Sequence, residues 1–164
     1  MIASLFSRTS ARTHLLTSGL YNDKTFYPAL LKDLGSCQRE LLIESPFITS
    51  NRIASLLPIF TKMRSRGIKI VVNTRHPAEH EAPFDAYAEK AITSLQLIGV
   101  EVLYTGGHHR KLVVIDRRIL WEGSLNVLSQ NDSCEIMRRI DSEVLALQML
   151  RFIRLDKILG DFNI

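Results

Sequence analysis

The sequence HHRKLVVIDRRILWEGSLN, residues 108–126, carries the clearest information about the fold. It reads as two short strands, KLVVID and RILWEG, with a brief connection between them. His109 and Lys111 stand two residues apart at the start of the first strand, and Ser124 and Asn126 stand two apart after the second. Because side chains two apart on a strand point to the same side, pairing of the strands predicts that these four groups converge on one small volume.

These four groups suit the binding of a phosphoryl group. Lysine neutralises a non-bridging phosphate oxygen as a point charge, and the Ser124 hydroxyl and Asn126 carboxamide can donate hydrogen bonds to the others. Imidazole titrates near neutral pH, so an unprotonated His109 is available as a nucleophile toward phosphorus. The pattern therefore predicts phosphate-ester chemistry.

The whole motif strongly resembles that of the phospholipase D superfamily. It reads His109-x-Lys, then four residues and Asp116, then Gly-Ser-Leu-Asn from Gly123 to Asn126. The family carries His-x-Lys-x4-Asp followed by Gly-Ser-x-x-Asn or a close variant, and here one residue separates Ser from Asn. The interval of 15 residues from His109 to Ser124 is the family's usual one.

The resemblance extends beyond the motif. LLIESPF, residues 41–47, is similar to the family's early strand that ends in Ser-Pro-aromatic. IGVEVLYTGGHHRKLVVID, residues 98–116, is similar to its approach to the active strand. The match covers most of the chain, from about residue 20 to residue 160.

The resemblance implies a role for each motif residue. His109 is expected to form a phosphohistidine intermediate, while Lys111 and Asn126 bind phosphate oxygens with the help of Ser124. The resulting candidate residues are His109, Lys111, Asn126 and Glu135 as catalytic, Lys111, Ser124, Asn126 and Arg110 as substrate-binding, and Asp116 and Gly123 as structural. Neither a metal nor another cofactor is implied.

A downstream carboxylate is also implied, because family members use one to orient the nucleophilic imidazole. Glu135, 26 residues after His109, fits this role best, and Asp132 is the alternative. Asp116 is expected to anchor the turn through salt bridges rather than to touch phosphate.

The order of predicted elements indicates an α/β fold, with a mixed sheet flanked by helices on both faces. Strands and helices alternate first, and an antiparallel meander and a terminal helix over residues 142–159 follow. Residues 1–20 are predicted to be an arm or a short edge element, and residues 75–84 a polar loop. We expect one domain over residues 1–164.

Composition is that of a globular protein without a disulfide framework. Apolar residues make up 46% of the chain and charged residues 23%, and there are only 2 cysteines. The sequence shows no apolar run long enough for stable membrane insertion and no evident leader, so a cytoplasmic protein is expected. The net charge of +4 is modest. Basic residues nevertheless outnumber acidic ones by 6 to 4 between residues 108 and 139, as expected where an anion is handled.

The motif occurs once, and this predicts a homodimer. The two-step reaction needs a second histidine to protonate the leaving oxygen. A symmetric pair of chains would supply both copies of His109 to one composite site.

The substrate is expected to be DNA or RNA, which makes the chain an endonuclease. A phospholipid hydrolase or transferase is the first alternative, and a nucleic-acid-binding module or subunit of a larger assembly is the second. Ser124 lacks the second glycine of a hydrolase nucleophile elbow. His76 and His80 are interpreted as loop residues, because no third metal ligand is near them in the sequence.

Overall fold

A computed structural model of the chain describes residues 17–129 and 133–160. In chain order the elements are β1 (Thr17–Asn22), α1 (Asp23–Ser36), β2 (Glu40–Glu44), α2 (Ser50–Ser65), β3 (Lys69–Thr74), a short 3-10 turn (Pro77–Glu79), α3 (Phe84–Leu97), β4 (Glu101–Tyr104), β5 (Leu112–Ile115), β6 (Ile119–Gly123), β7 (Ile136–Asp141) and α4 (Glu143–Phe152). The predicted N-terminal edge element is present as β1, while residues 1–16 of the predicted arm lie outside the described residues.

The strands form one mixed sheet in the order β1-β7-β6-β5-β2-β3-β4. The pairs β2–β3 and β3–β4 are parallel, and every other neighbouring pair is antiparallel. β2 and β3 are fully or almost fully buried, as central parallel strands covered on both faces must be. The β5–β6 hairpin pairs with β2, and this places residues 108–126 beside the centre of the sheet.

Helices cover both faces of the sheet, as predicted. Helices α1, α2 and α3 pack on one face, where Phe26, Phe60 and Trp121 are fully buried. On the other face α4 buries Ala146 and Leu150. The fold class predicted from the sequence is therefore confirmed.

The predicted terminal helix is too long. Helix α4 ends at Phe152, and residues 153–159 form turns. Arg154 adopts a left-handed φ of 60°, and the Leu155 N–H donates to the Leu150 carbonyl at 3.0 Å, a bond that closes the helix end. The apolar periodicity continues past this point because Ile153, Leu155 and Leu159 are still buried against the sheet.

Helix α1 has a side-chain cap at its start. Asn22 caps α1, with its side-chain oxygen accepting hydrogen bonds from the backbone N–H groups of Lys24 and Thr25. Across the described ranges, no helix combines the length and the apolar character that a membrane span requires.

Candidate active site

The motif residues gather at the open end of the β5–β6 hairpin. The last pair of the hairpin is Leu112 with Glu122, so Lys111 lies just before β5 and Ser124 just after β6. The four polar groups were expected to project from the strands themselves. Instead, His109 also precedes β5, and the groups belong to the two chain segments that continue past the hairpin.

His109 and Lys111 are in direct contact. The Lys111 ammonium lies 2.9 Å from His109 Nδ1 and 3.4 Å from Nε2, and it donates to the His109 carbonyl at 2.7 Å. Lys111 is 9% exposed, whereas His109 is exposed. Burial lowers the pKa of Lys111 below its ordinary value, the carboxylate of Glu135 acts against that shift, and the charge of Arg75 adds to it. The imidazole therefore faces solvent with a partly desolvated cation beside it.

These residues line an open cavity of about 640 Å³. His109, Lys111 and Ser124 contribute to its wall together with the cationic side chains of Arg110 and Arg138. Among the described residues of the lining, Glu122 carries the only carboxylate, so cations outnumber anions among its charged groups. An anionic ligand is therefore favoured in this cavity.

Gly123 is required by a close backbone approach. A Cβ at this position would lie 2.1 Å from the carbonyl oxygen of Ile136 on β7, so no other residue fits. The adjacent Ser124 N–H donates to the same carbonyl at 3.0 Å, and the Ile136 N–H donates to Ser124 Oγ at 3.1 Å. The hydroxyl in turn donates to the carboxylate of Glu135. Gly123 thus lets β7 approach closely enough to hold both Ser124 and Glu135.

The hydrogen bonds of Glu135 go to serines. Ser124 donates to one carboxylate oxygen, and Ser133 donates to the other at 3.0 Å. Its charge also acts on Lys111 and raises the pKa of that side chain. The orienting role expected of Glu135 toward His109 stays a prediction, and the alternative, Asp132, lies outside the described residues.

Asn126 is positioned by the loop that follows β2. Ser45 Oγ accepts a hydrogen bond from the Leu128 N–H at 3.1 Å, and the Thr49 N–H donates to the Leu128 carbonyl at 2.9 Å. Asn126 Oδ1 is buried and has no hydrogen-bond partner among the described residues. An unpaired buried polar atom costs about 1–3 kcal/mol, and its presence in a native fold calls for an explanation such as a ligand. Of the described residues, those lining the cavity do not include Asn126, so its phosphate contact stays a prediction.

A buried carboxylate beneath the site was not predicted. Glu44 is 0% exposed and binds the guanidinium of Arg110 through Nε and through Nη2, the latter at 2.8 Å. The Asn73 amide donates to the same carboxylate at 2.8 Å. Arg110 therefore lines the cavity while it neutralises a buried charge. Its predicted contact with substrate stays a prediction. A charged residue inside the otherwise apolar run LLIE was the available sequence signal.

His108, next to His109 in the chain, is held by hydrogen bonds within the fold. It is buried, its Nδ1 accepts a hydrogen bond from the Arg110 N–H at 3.3 Å, and its Nε2 lies 3.3 Å from the Asn73 carbonyl. Burial lowers the pKa of His108, so the neutral ring is favoured. The Arg75 guanidinium donates to the His108 carbonyl at 2.9 Å, which ties the loop after β3 to the motif.

Asp116 is structural, but not through the expected salt bridges. Its carboxylate accepts hydrogen bonds from the backbone N–H groups of Gln38, Arg39 and Glu40 at 2.8–3.0 Å. Burial raises its pKa, yet these hydrogen bonds, together with one from the Cys37 thiol, outweigh that effect and hold the pKa below its ordinary value. Backbone N–H groups bind this carboxylate because the chain before β2 meets the β5–β6 turn, where Asp116 has a left-handed φ of 51°.

The remaining singled-out side chains have separate partners. The imidazole of His76 packs against Tyr104, and that of His80 packs against Phe47. Arg139 forms an ion pair with Asp33 at 2.8 Å.

Comparison with known proteins supplies the family. The family model described as "Cardiolipin synthase, PLD-like domain" matches residues 30–155. No curated protein matches the chain.

Solved structures share the fold at low sequence identity. Nuc from Salmonella typhimurium, a phospholipase D family member, superposes with a TM-score of 0.68 at 13% identity, over 85% of this chain and 92% of that one. NucT from Helicobacter pylori superposes with a TM-score of 0.68 at 18% identity, over 85% and 94% of the two chains. Phosphatidylserine synthase from Haemophilus influenzae gives a TM-score of 0.60 at 16% identity, over 88% and 39%.

Proposed function

The chain belongs to the PLD-like family, and from this premise we propose that it is a metal-independent phosphodiesterase, an endonuclease that cleaves DNA or RNA. The observation that carries the proposal is the contact of 2.9 Å between the Lys111 ammonium and His109 Nδ1, at the wall of a cavity that Arg110 and Arg138 also line. An exposed imidazole beside a cation is what attack on a phosphodiester anion requires, because the cation attracts and neutralises the phosphate that the imidazole attacks.

The reaction proceeds in two displacements at phosphorus. In the first, an imidazole nitrogen of His109 forms a P–N bond as the bond from phosphorus to the leaving ester oxygen breaks. A second imidazolium gives its proton to that oxygen. In the second, this now neutral imidazole takes a proton from water, the hydroxide forms a new P–O bond, and the P–N bond breaks. Lys111 and Asn126 bind the non-bridging oxygens throughout.

The second imidazole comes from a second copy of the chain. Within the described residues, His109 alone has its ring beside the Lys111 ammonium, while His108 is buried and His76 and His80 pack on other aromatic rings. A two-fold axis passing near the cavity would bring the partner subunit's His109 to the opposite side of the phosphate. The composite site then contains two copies of His109, one acting as the acid and the other as the nucleophile.

Exposed apolar side chains at the cavity support such a dimer. Leu20 on β1 is 66% exposed, Ile136 on β7 is 62% exposed and Phe152 on α4 is 83% exposed, and all three line the catalytic cavity. Large exposed apolar groups gathered at one place mark an interaction surface. Burying them against a second copy would also narrow the opening of the cavity and exclude water from the phosphate.

A phospholipid phosphodiesterase is the second candidate. The same apolar side chains could accept acyl chains, and the matching family model carries the name of a lipid enzyme. Nucleic acid is preferred because Arg75, Arg110 and Arg138 add cations around the motif, as a polyanion needs. The chain also spans 92% of Nuc and 94% of NucT, but 39% of the phosphatidylserine synthase.

Cleavage assays in EDTA test the proposal. The purified chain is given plasmid DNA, single-stranded DNA, RNA and phospholipid vesicles in separate reactions, with and without added divalent metal. We expect cleavage of a nucleic acid in EDTA and none of the vesicles. Strict dependence on added metal would overturn the mechanism, and release of a lipid head group without nucleic acid cleavage would replace the substrate.

Glu135 is proposed to orient the attacking imidazole through rearrangement of its present bonds to Ser124 and Ser133. Glu135→Gln keeps the size and one acceptor oxygen for a serine hydroxyl, but it replaces the other oxygen with a donor and removes the charge. We expect a loss in kcat with little change in KM. Unchanged kcat would leave Glu135 a purely structural partner of Ser124.

A further inference from the structure

A second cavity lies beside the catalytic one and is built differently. It encloses about 750 Å³ between the loop after β2 and the first turn of α3. Four aromatic rings line it: Phe47, His80, Phe84 and Tyr87. Phe84 is 66% exposed and Tyr87 is 55% exposed, although a folded chain ordinarily hides such rings. No element within the described ranges covers them, and the catalytic mechanism does not use them.

Arg75 connects the two cavities. Its guanidinium lies over the ring of Phe47, 5.2 Å from the centroid, and its Nε donates to the carbonyl of His108 beside the nucleophile. Its positive charge also acts on Lys111. A chain of phosphates entering from Lys111 would therefore meet Arg75 next, and the group attached to that next phosphate would reach Phe47.

The lining of this second cavity favours binding of a planar, uncharged ring that carries polar groups at its edge. Aromatic faces favour stacking of a planar ring. The carboxylate of Glu81 disfavours a further phosphate and can accept a hydrogen bond from an amino group, while Asn51 and Lys90 offer donors. An acyl chain would leave these polar groups without partners, and so would bind less well. The volume lies in the range of about 300–1,000 Å³ usual for small-molecule sites, enough for one base with its sugar.

We propose that this cavity is a nucleobase subsite, which holds the unpaired base of a nucleotide flanking the scissile phosphate while Arg75 binds the intervening phosphate. The inference rests on the proposed function, since it requires a nucleic acid substrate. In this proposal Phe84 and Tyr87 stack on the base. Arg75 binds the phosphate between the two cavities and so determines which nucleotide enters the second one.

The test separates the contribution of bases from that of phosphates. Two single-stranded oligonucleotides of equal length are compared, one with normal bases and one in which every base is replaced by hydrogen on a tetrahydrofuran sugar. Both carry the same phosphates. For the wild-type protein we expect KM to be about tenfold or more higher with the abasic strand, in line with the loss of base stacking on aromatic side chains. In the double variant Phe84→Ala/Tyr87→Ala that difference should fall to about twofold or less.

Matched variants control for surface changes. Leu97→Ala removes an apolar side chain that is 81% exposed at the other end of α3, and Tyr104→Ala removes an exposed aromatic ring outside this cavity. Both should keep the wild-type discrimination between the two strands. The variant Phe84→Tyr/Tyr87→Phe retains two rings and should also keep it, which distinguishes lost stacking from a disturbed α3.

Three outcomes would overturn the nucleobase subsite. Equal KM values of wild-type protein for normal and abasic strands overturn the subsite but leave the endonuclease in place. Equal discrimination in the wild type and in the alanine double variant overturns it too. If the wild type cleaves neither strand but hydrolyses phospholipid vesicles, and the alanine variant loses that activity, the cavity holds an acyl chain and both proposals fail.

Discussion

The Nζ atom of Lys111 lies 2.9 Å from Nδ1 of His109. The same ammonium donates a hydrogen bond to the His109 carbonyl at 2.7 Å, which keeps it beside the imidazole. The contact places a positive charge beside the imidazole that we propose as the nucleophile. Five consequences of the surrounding geometry can be measured separately.

Replacing Lys111 should damage catalysis far more than stability. In Lys111→Gln the phosphate loses its nearest cation, and we expect kcat/KM to fall about 100-fold to 1,000-fold, as when one stabilising donor is removed from an active site. Lys62→Gln removes an equal charge from the exposed surface of α2 and should change kcat/KM less than twofold. A Lys111→Gln enzyme with near wild-type kcat/KM would contradict the phosphate-binding role.

The lowered pKa of Lys111 also predicts an alkaline limit to activity. Lysine is cationic below its pKa, so a pKa below the ordinary value makes the charge disappear at a lower pH than in a free lysine. Activity should therefore decline as pH rises toward the usual lysine range. In Lys111→Arg the side chain stays charged, and the decline should disappear even though kcat is lower. The test is a pH–rate profile of the wild-type protein and of Lys111→Arg. The same loss of activity at high pH in both proteins would mean that a group other than Lys111 causes it.

Gly123→Ala should disturb both stability and activity. The new Cβ would meet the Ile136 carbonyl at 2.1 Å, so β6 and β7 must separate and Ser124 must move. We expect the free energy of unfolding to fall by about 2–3 kcal/mol, as for overpacking in a closely packed region. Gly35→Ala is the matched control, because an added Cβ there has nothing within 4 Å and lies on α1. It should stabilise the protein by about 0.5–1 kcal/mol in urea unfolding. Similar unfolding midpoints for the two variants would contradict the close approach of β7.

Asp116→Ala should lower stability in a pH-dependent way. It leaves three backbone N–H groups without their acceptor, and we expect a loss of about 3 kcal/mol in the free energy of unfolding at pH 7. The folded-state pKa is below its ordinary value of 3.8, so the carboxylate's stabilising effect is fully present above that value. The effect is lost as pH falls through the folded pKa.

The difference between wild-type protein and Asp116→Ala in urea unfolding should therefore shrink at low pH. Glu89→Gln, on the exposed surface of α3, serves as the control for removal of a carboxylate. A difference that stays constant from pH 7 to pH 2 would mean that the ionised form of Asp116 is not what stabilises the turn.

Substitution of an exposed apolar side chain at the cavity tests the proposed dimer. Phe152→Glu places a charge at a position that is 83% exposed at the rim of the catalytic cavity, and this should weaken self-association and make activity depend on protein concentration. Leu97→Glu, at an equally exposed position on α3, should alter neither property. Sedimentation equilibrium and cleavage assays over the same concentration range provide the comparison. A wild-type protein that is monomeric and fully active at every concentration would refute the composite site.

Periodicity and local signals predicted most of the fold. The alternation of strands and helices and the antiparallel meander each depend on residues close together in the sequence, and the structure contains both in the predicted order. The terminal helix was overestimated because Leu155 and Leu159 continue to be buried after the backbone has left the helix at Phe152. In this segment the side chains remain buried although the helical hydrogen bonds have ended. The sequence pattern indicates burial but not the end of the hydrogen bonds.

The site was predicted where its residues are close in sequence and missed where they are not. His109 and Lys111 are two positions apart, and their contact followed from that spacing. Glu44 and Arg110 are 66 positions apart, and only the pairing of β2 with β5 brings them together. The partners of Asp116 were wrong for the same reason. Its acceptor role depends on backbone N–H groups 76–78 residues away, which carry no side-chain signature.

The most direct measurement of the central claim is detection of the covalent intermediate on His109. Wild-type protein is mixed with a short oligonucleotide in EDTA, quenched in alkaline denaturant within one turnover, digested and analysed by peptide mass spectrometry. We predict a phosphate-linked nucleotide on the peptide that contains His109, and neither adduct nor cleavage in His109→Ala. Cleavage by His109→Ala at the wild-type rate, or an adduct on a different residue, would contradict the account.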